Sequence, residues 1–249
     1  MRNPANMKRI EVCLTPELLH LYDVRNKAVV IVDVLRATSC MVTALAHGAA
    51  EIFPVASLDA CRKMKAAGYQ LAGERDGLKV EDFDKGNSPF EYLEGIAGKK
   101  IAFTTTNGTQ AIEKSRDAPI LVIGAFLNLS AVARFVEQQP HSVLIVCAGW
   151  KGRYSLEDTL FAGALVEKWQ SVGTLDCDAG LSALHLYRAA KENLAGFLEQ
   201  SSHVRRLNRL NIHRDLEFCV TTDTYDVVPI LMNNRLVTNR PATRGPQSG

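Results

Sequence analysis

The chain has 249 residues, 47% of them apolar and 22% charged, with a formal net charge of +2 at pH 7. That balance is globular, long enough to bury one large core or two smaller ones, and it implies no polyanion partner. Lys and Arg are scattered apart from "HVRRLNRLNIHR" (203–214), which reads as a solvated helix face rather than a nucleic-acid surface.

Short β-rich runs alternate with helical patterns along the chain. Residues 1–6 read as an extension ahead of a second start-like run, "MKRIEV". "AVVIVDVL" (28–35) is an apolar run of buried-strand type, followed by the helical "TSCMVTALAHG" with Gly48 as its stop. "EIFPV" reads as a strand. "SLDACRKMKAAG" reads as a helix with Ser57 as N-cap, Asp59 in the first turn and Gly68 just past the end. "YQLAGE" is the next strand, and a polar loop runs from Arg75 to about Pro89. The theme then repeats, with strand "KKIAFTT", helix "GTQAIEKS", strand "APILVIGA", helix "NLSAVARFVEQQ" and strand "HSVLIVCAG". A Gly/Lys loop leads into the helix "SLEDTLFAGALVEKWQ", where Ser155 and Asp158 have capping-box spacing. Residues 179–210 read as mainly helical, 216–238 as short strands around Pro229, and the tail, 241–249, as disordered.

This alternation with short connections predicts an α/β fold, a largely parallel sheet flanked by helices. Six dispersed cysteines without metal or redox spacing read as small buried residues of a reduced, cytoplasmic protein. Neither an N-terminal h-region nor a run of about 20 apolar residues marks a membrane segment.

In such sheets ligands bind at the carboxyl ends of the strands. The residues expected there are Asp33, Arg36, Thr38 and Ser39, then Glu74, Arg75 and Asp76, then Asn87 and Ser88 in "KGNSP". "TTTNGT" (104–109), Asn128, and Gly149, Lys151, Arg153, Glu157 and Asp158 complete the rim. Singly, each has a bland reading as a turn, cap or surface pair. Together they suit a small anionic phosphoester: arginines give forked donors to anions, and Thr105, Thr106, Asn107, Gly108 and Thr109 offer hydroxyls and N–H groups as an anion nest. Clustered carboxylates suit a hard cation such as Mg²⁺.

No Walker loop and no G-x-G-x-x-G follows a strand. "DVLRAT" has Leu35 where a D-x-D phosphatase needs its second Asp. "CAGWKGR" (147–153) fits C-x₅-R, so a cysteine phosphatase using Cys147 and Arg153 is a rival, set against Cys147 as an inert strand residue.

The ordered set "VDVLRATS", "GERDG", "FDKGNSP", "TTTNGT", "AFLNLSAV", "CAGWKGRYSLED" and "FAGALVE", then "DLEFC" and "DVVP", resembles the 2-phosphosulfolactate phosphatase family, known from the coenzyme M pathway. The resemblance implies a Mg²⁺-dependent phosphomonoesterase acting on (R)-2-phospho-3-sulfolactate. It implies a compact unit over residues 1–240 with two closely packed α/β subdomains, approximately 7–98 and 99–240, exchanging C-terminal strands. Lys151 and Arg153 match no family position, and 171–200 carries no transferable motif.

The working mechanism is metal-assisted hydrolysis. Asp33, Glu74, Glu157 and Asp158 are the candidate Mg²⁺ ligands, with a carboxylate among Asp33, Glu74 and Glu157 as general base. Arg36 and Arg75 are expected to clamp anions, with Thr38, Asn87, Ser88 and residues 105–109 lining the site. Neither nucleic acid nor membrane is expected as a partner, and a homodimer is compatible. A non-catalytic sensor of a phosphorylated or sulfonated metabolite is the reading from another class.

Overall fold

The computed structural model describes residues 8–209 and 214–238. The expectations for residues 1–6, 210–213 and 241–249 lie outside the described residues.

Among the described residues, eleven strands form one sheet. In chain order they are β1 (Arg9–Cys13), β2 (Lys27–Val32), β3 (Glu51–Pro54), β4 (Gln70–Arg75), β5 (Leu78–Lys79), β6 (Lys100–Thr104), β7 (Ile120–Gly124), β8 (Ser142–Cys147), β9 (Thr174–Leu175), β10 (Pro229–Met232) and β11 (Arg235–Thr238). Their spatial order is β5-β4-β6-β3-β11-β10-β7-β2-β8-β1-β9. One parallel block holds β7, β2, β8, β1 and β9, and another holds β4, β6 and β3. The hairpin β10–β11 joins the blocks, antiparallel to β7 on one side and to β3 on the other. Chain order and block membership differ, since β1 and β2 sit with β7 and β8 rather than with β3 and β4.

The helices are α1 (Ala37–Ala46), α2 (Leu58–Lys63), α3 (Gly108–Lys114), α4 (Leu129–Gln138), α5 (Leu156–Trp169), α6 (Asp178–Ala190), α7 (Leu194–Leu198), α8 (Ser202–Arg209) and α9 (Arg214–Val220). They cover both sheet faces, which explains why the central strands read as continuous apolar runs. Along β2, Val30 and Val32 pack with α4, α5 and α6, while Val29 and Ile31 pack with α1 and α3. A slip of one residue would exchange the two sets.

Ser57 caps α2 through its hydroxyl, and Gly68 is left-handed at φ 81°, both as the sequence predicts. The strand expected at 216–220 is instead α9. Leu216, Cys219 and Val220 are buried at i, i+3 and i+4, a helical spacing that outweighs their strand-like composition.

Candidate active site

Asp33 follows β2 directly and is buried. Its Oδ1 accepts from the Ala37 N–H at 3.3 Å, anchoring the first turn of α1. A Cβ on Gly108 would lie 2.9 Å from Asp33 Oδ2 and 2.9 Å from Ala37 Cβ, so the absent side chain lets α3 press against this carboxylate. Burial pushes the Asp33 carboxyl up to about 6. The Ala37 N–H and His203 oppose that rise, while the charges of Glu74 and Glu157 reinforce it. Thr38 does not reach outward as expected. It is fully buried, its hydroxyl donating to Asp33 O at 2.9 Å and accepting from Asp33 N at 3.1 Å, so it braces the turn.

The anion held by "TTTNGT" is the chain's own Glu74. Glu74 Oε1 accepts from Thr106 N at 2.9 Å and Thr106 Oγ1 at 3.0 Å, and its Oε2 accepts from Gly77 N at 2.7 Å. Thr105 and Thr109 bond one another across the first turn of α3. Asn107 Oδ1 accepts from Lys151 N at 2.9 Å, and Lys151 Nζ pairs with Asp76 at 2.7 Å. The three loops 75–77, 104–109 and 149–153 are thereby laced together.

Glu157 and Asp158 open α5, whose N-cap Ser155 accepts from Asp158 N at 3.4 Å. The capping box stops there. The Asp158 carboxylate accepts instead from Val34 N at 2.9 Å and Gly149 N at 3.1 Å, tying the ends of β2 and β8. Burial and the charges of Glu157 and Asp33 push its carboxyl well above the usual range. Glu157 is buried, with Oε1 against His203 Nδ1 and with Oε2 lacking any hydrogen-bond partner. Burial alone would raise this carboxyl, but the charge and hydrogen bond of His203 outweigh it and hold it below the usual value.

His203 comes from α8, inside the run that reads as a solvated basic face. Its ring packs on Trp150 with centroids 5.5 Å apart, and the Arg206 guanidinium lies 3.5 Å from the Trp150 ring centroid. His203 and Arg206 are three residues apart and share one helix face. That spacing was the available signal; the charge count masked it. Asp215 was also missed. It lies in "DLEFC", whose apolar residues suggested a strand.

Asp215 changes the role expected of Arg36. The guanidinium is buried, pairing with Asp215 at 2.5 Å and donating to Gly77 O at 2.9 Å, so it is a structural ion pair and not an open anion clamp. Ser88 also donates to Asp215, at 2.8 Å. Arg75 donates to Glu74 O and Thr104 Oγ1. Asn87 is buried, and its Oδ1 has no hydrogen-bond partner.

Two concavities meet at Trp150 and His203. A small cavity of about 20 Å³ is lined by Asp33, Arg36, Glu74 and Asn87 among others, with room for about one water molecule. A larger pocket of about 480 Å³ is lined by Arg153, Glu157, Ser202 and Arg206 together with the same Trp150 and His203.

The cysteine route fails on geometry. Cys147 is fully buried in the core, and burial followed by the Asp158 charge pushes its thiol well above the ordinary value. The loop behind it is no phosphate cradle. Trp150 and Arg153 exchange two backbone hydrogen bonds of 2.9 Å, closing a tight turn that leaves Arg153 exposed.

Among the described residues, no group of three or more His, Cys, Asp or Glu side chains is spaced to hold a metal ion. Glu74 and Asp158 have both oxygens bonded to the chain's own donors, so the four-carboxylate set does not form a cage. The donor chemistry still fits Mg²⁺, which takes one or two carboxylates and keeps several waters. Glu157 Oε2 and Asn87 Oδ1 are buried oxygens without partners, and Asp33 and Asn87 both line the small cavity.

A family model for 2-phosphosulpholactate phosphatase matches residues 13–234. A protein of Caldanaerobacter subterraneus named "Probable 2-phosphosulfolactate phosphatase" is 40% identical over 224 residues, covering 88% of this chain and 93% of its own. Relatives with that name from Thermotoga petrophila and Thermotoga maritima are each 43% identical over 212 residues, covering 84% of this chain and 91% of their own. Among the described residues no helix is long and apolar enough to cross a membrane. With the match spanning β2 to β10, the carboxylate rim and helix α9, the chain belongs to the 2-phosphosulpholactate phosphatase family.

Proposed function

We propose that the protein is a Mg²⁺-dependent phosphomonoesterase hydrolysing (R)-2-phospho-3-sulfolactate to 3-sulfolactate and phosphate by direct attack of water. The observation that carries this reading is the convergence of Asp33, Glu74 and Asn87 with His203 around a cavity of one-water size, with Glu157 bonded to that histidine. Asp33 takes the proton of the attacking water. Its carboxyl, raised to about 6, stays ionised at neutral pH yet is a better base than an exposed aspartate. His203 is fixed through Nδ1 by Glu157, leaving Nε2 to protonate the departing alkoxide. Glu74 holds the Thr106 and Gly77 backbones in place. Glu157 and Asn87 would hold Mg²⁺, which when bound would neutralise charge on the phosphoryl oxygens.

The test is phosphate release by the purified protein from phosphosulfolactate and a panel of small phosphoesters, with Mg²⁺ and with EDTA. The reading expects turnover that EDTA abolishes and added Mg²⁺ restores. Full activity in EDTA would remove the metal, and hydrolysis confined to other phosphoesters would remove the substrate.

A further inference from the structure

Arg206 stands out among the cations around the site. Arg36 is consumed by Asp215, Lys151 by Asp76, and Arg75 by oxygens of its own strand end and β6. Arg206 instead lies against the face of Trp150, and its Nη2 is buried without a hydrogen-bond partner. A guanidinium packed on an aromatic face keeps its in-plane donors for a planar or tetrahedral oxyanion. Arg206 lines the larger pocket, beyond His203 from the cavity that holds Asp33 and Asn87. The charges of Glu157, Glu74 and Asp76 all act on it. An anionic substrate entering past those carboxylates needs a compensating cation on this wall.

We propose that Arg206, shelved on Trp150, is the specificity residue for one of the substrate's two anionic groups that are not transferred. Resting on the function proposed above, that group is the sulfonate of phosphosulfolactate. The phosphoryl group sits in the larger pocket against His203, facing the small cavity that holds the attacking water beside Asp33, and the sulfonate occupies the Arg206 side. Trp150 positions the guanidinium and takes no part in the chemistry.

The experiment compares wild type with Arg206→Met, Arg206→Lys and Arg153→Met, the last removing an exposed arginine of the same pocket. kcat and KM are measured on phosphosulfolactate and on 2-phospholactate, which lacks only the sulfonate. Losing a charged hydrogen bond predicts a ~10–100-fold fall in kcat/KM on phosphosulfolactate for Arg206→Met, mainly through KM. Turnover of 2-phospholactate should be nearly unchanged, Arg206→Lys should recover part of the loss, and Arg153→Met should resemble wild type. Equal losses on both substrates, or a selective loss in Arg153→Met, would overturn the assignment.

Calorimetry with 3-sulfolactate and with lactate separates this idea from the proposed reaction, because it needs no turnover. Wild type should bind sulfolactate more tightly, and the preference should vanish in Arg206→Met. An equal preference in both proteins, or no binding of sulfolactate to wild type, contradicts the subsite even if the phosphatase activity stands. Should wild type release no phosphate from either ester, the reaction fails while the calorimetry still decides the subsite.

Discussion

Glu74 accepts two hydrogen bonds from Thr106, one from the backbone N–H at 2.9 Å and one from the hydroxyl at 3.0 Å. This pair couples the carboxyl end of β4 to that of β6. Glu74→Gln replaces one acceptor oxygen with a donor facing N–H groups. We expect destabilisation of ~1.5–3 kcal/mol, read as a lower midpoint in urea, because charge-assisted bonds to a buried acceptor are lost. An unchanged midpoint would show that the loop is held otherwise.

Arg36 and Asp215 are each about 5% exposed as side chains, and they join α9 to the loop after β2. Removing one partner leaves a buried charge, so Asp215→Ala should cost about 3–5 kcal/mol. Arg36→Met combined with Asp215→Leu should recover much of that loss. Denaturant midpoints of the two single variants and the double variant test the coupling.

Asp33 links stability to pH. Its carboxyl titrates at about 6 in the folded protein against 3.8 unperturbed, so the folded state keeps its proton to higher pH. Stability therefore falls as pH rises from about 4 to 6, and the loss is complete above that window. Asp33→Asn removes the term. In EDTA at pH 7.5 the variant should be more stable than wild type by up to about 3 kcal/mol, with the gap closing near pH 4. Wild-type kcat/KM should fall on the acid side with a midpoint near 6, since the base must be ionised.

Cys147 should be silent. Cys147→Ser is expected to keep wild-type turnover, and iodoacetamide should leave Cys147 unmodified in the folded protein, as peptide mass spectrometry would show. The buried position and the raised thiol both forbid a reactive thiolate.

The parallel core was legible because β2, β7 and β8 are buried on both faces and carry uninterrupted apolar runs. Asp33, Glu74 and Glu157 were legible as strand-end and helix-start carboxylates. What each one bonds was not, because the partners come from distant loops. Glu74 looked like a ligand beside an anion cradle, yet it fills that cradle itself. Arg36 looked like an open clamp because Asp215 lies 179 residues further along. His203 and Arg206 were hidden in a basic run whose charge count said surface, and only the packing of α8 on Trp150 turns them toward the carboxylates.

The most direct measurement is the initial rate of phosphate release from (R)-2-phospho-3-sulfolactate with Mg²⁺, for wild type and for Asp33→Asn. The account predicts turnover by wild type and a loss of at least ~10²-fold in a folded Asp33→Asn protein. No phosphate from wild type, or an Asp33→Asn protein that matches it, would contradict the claim that these carboxylates carry out the hydrolysis.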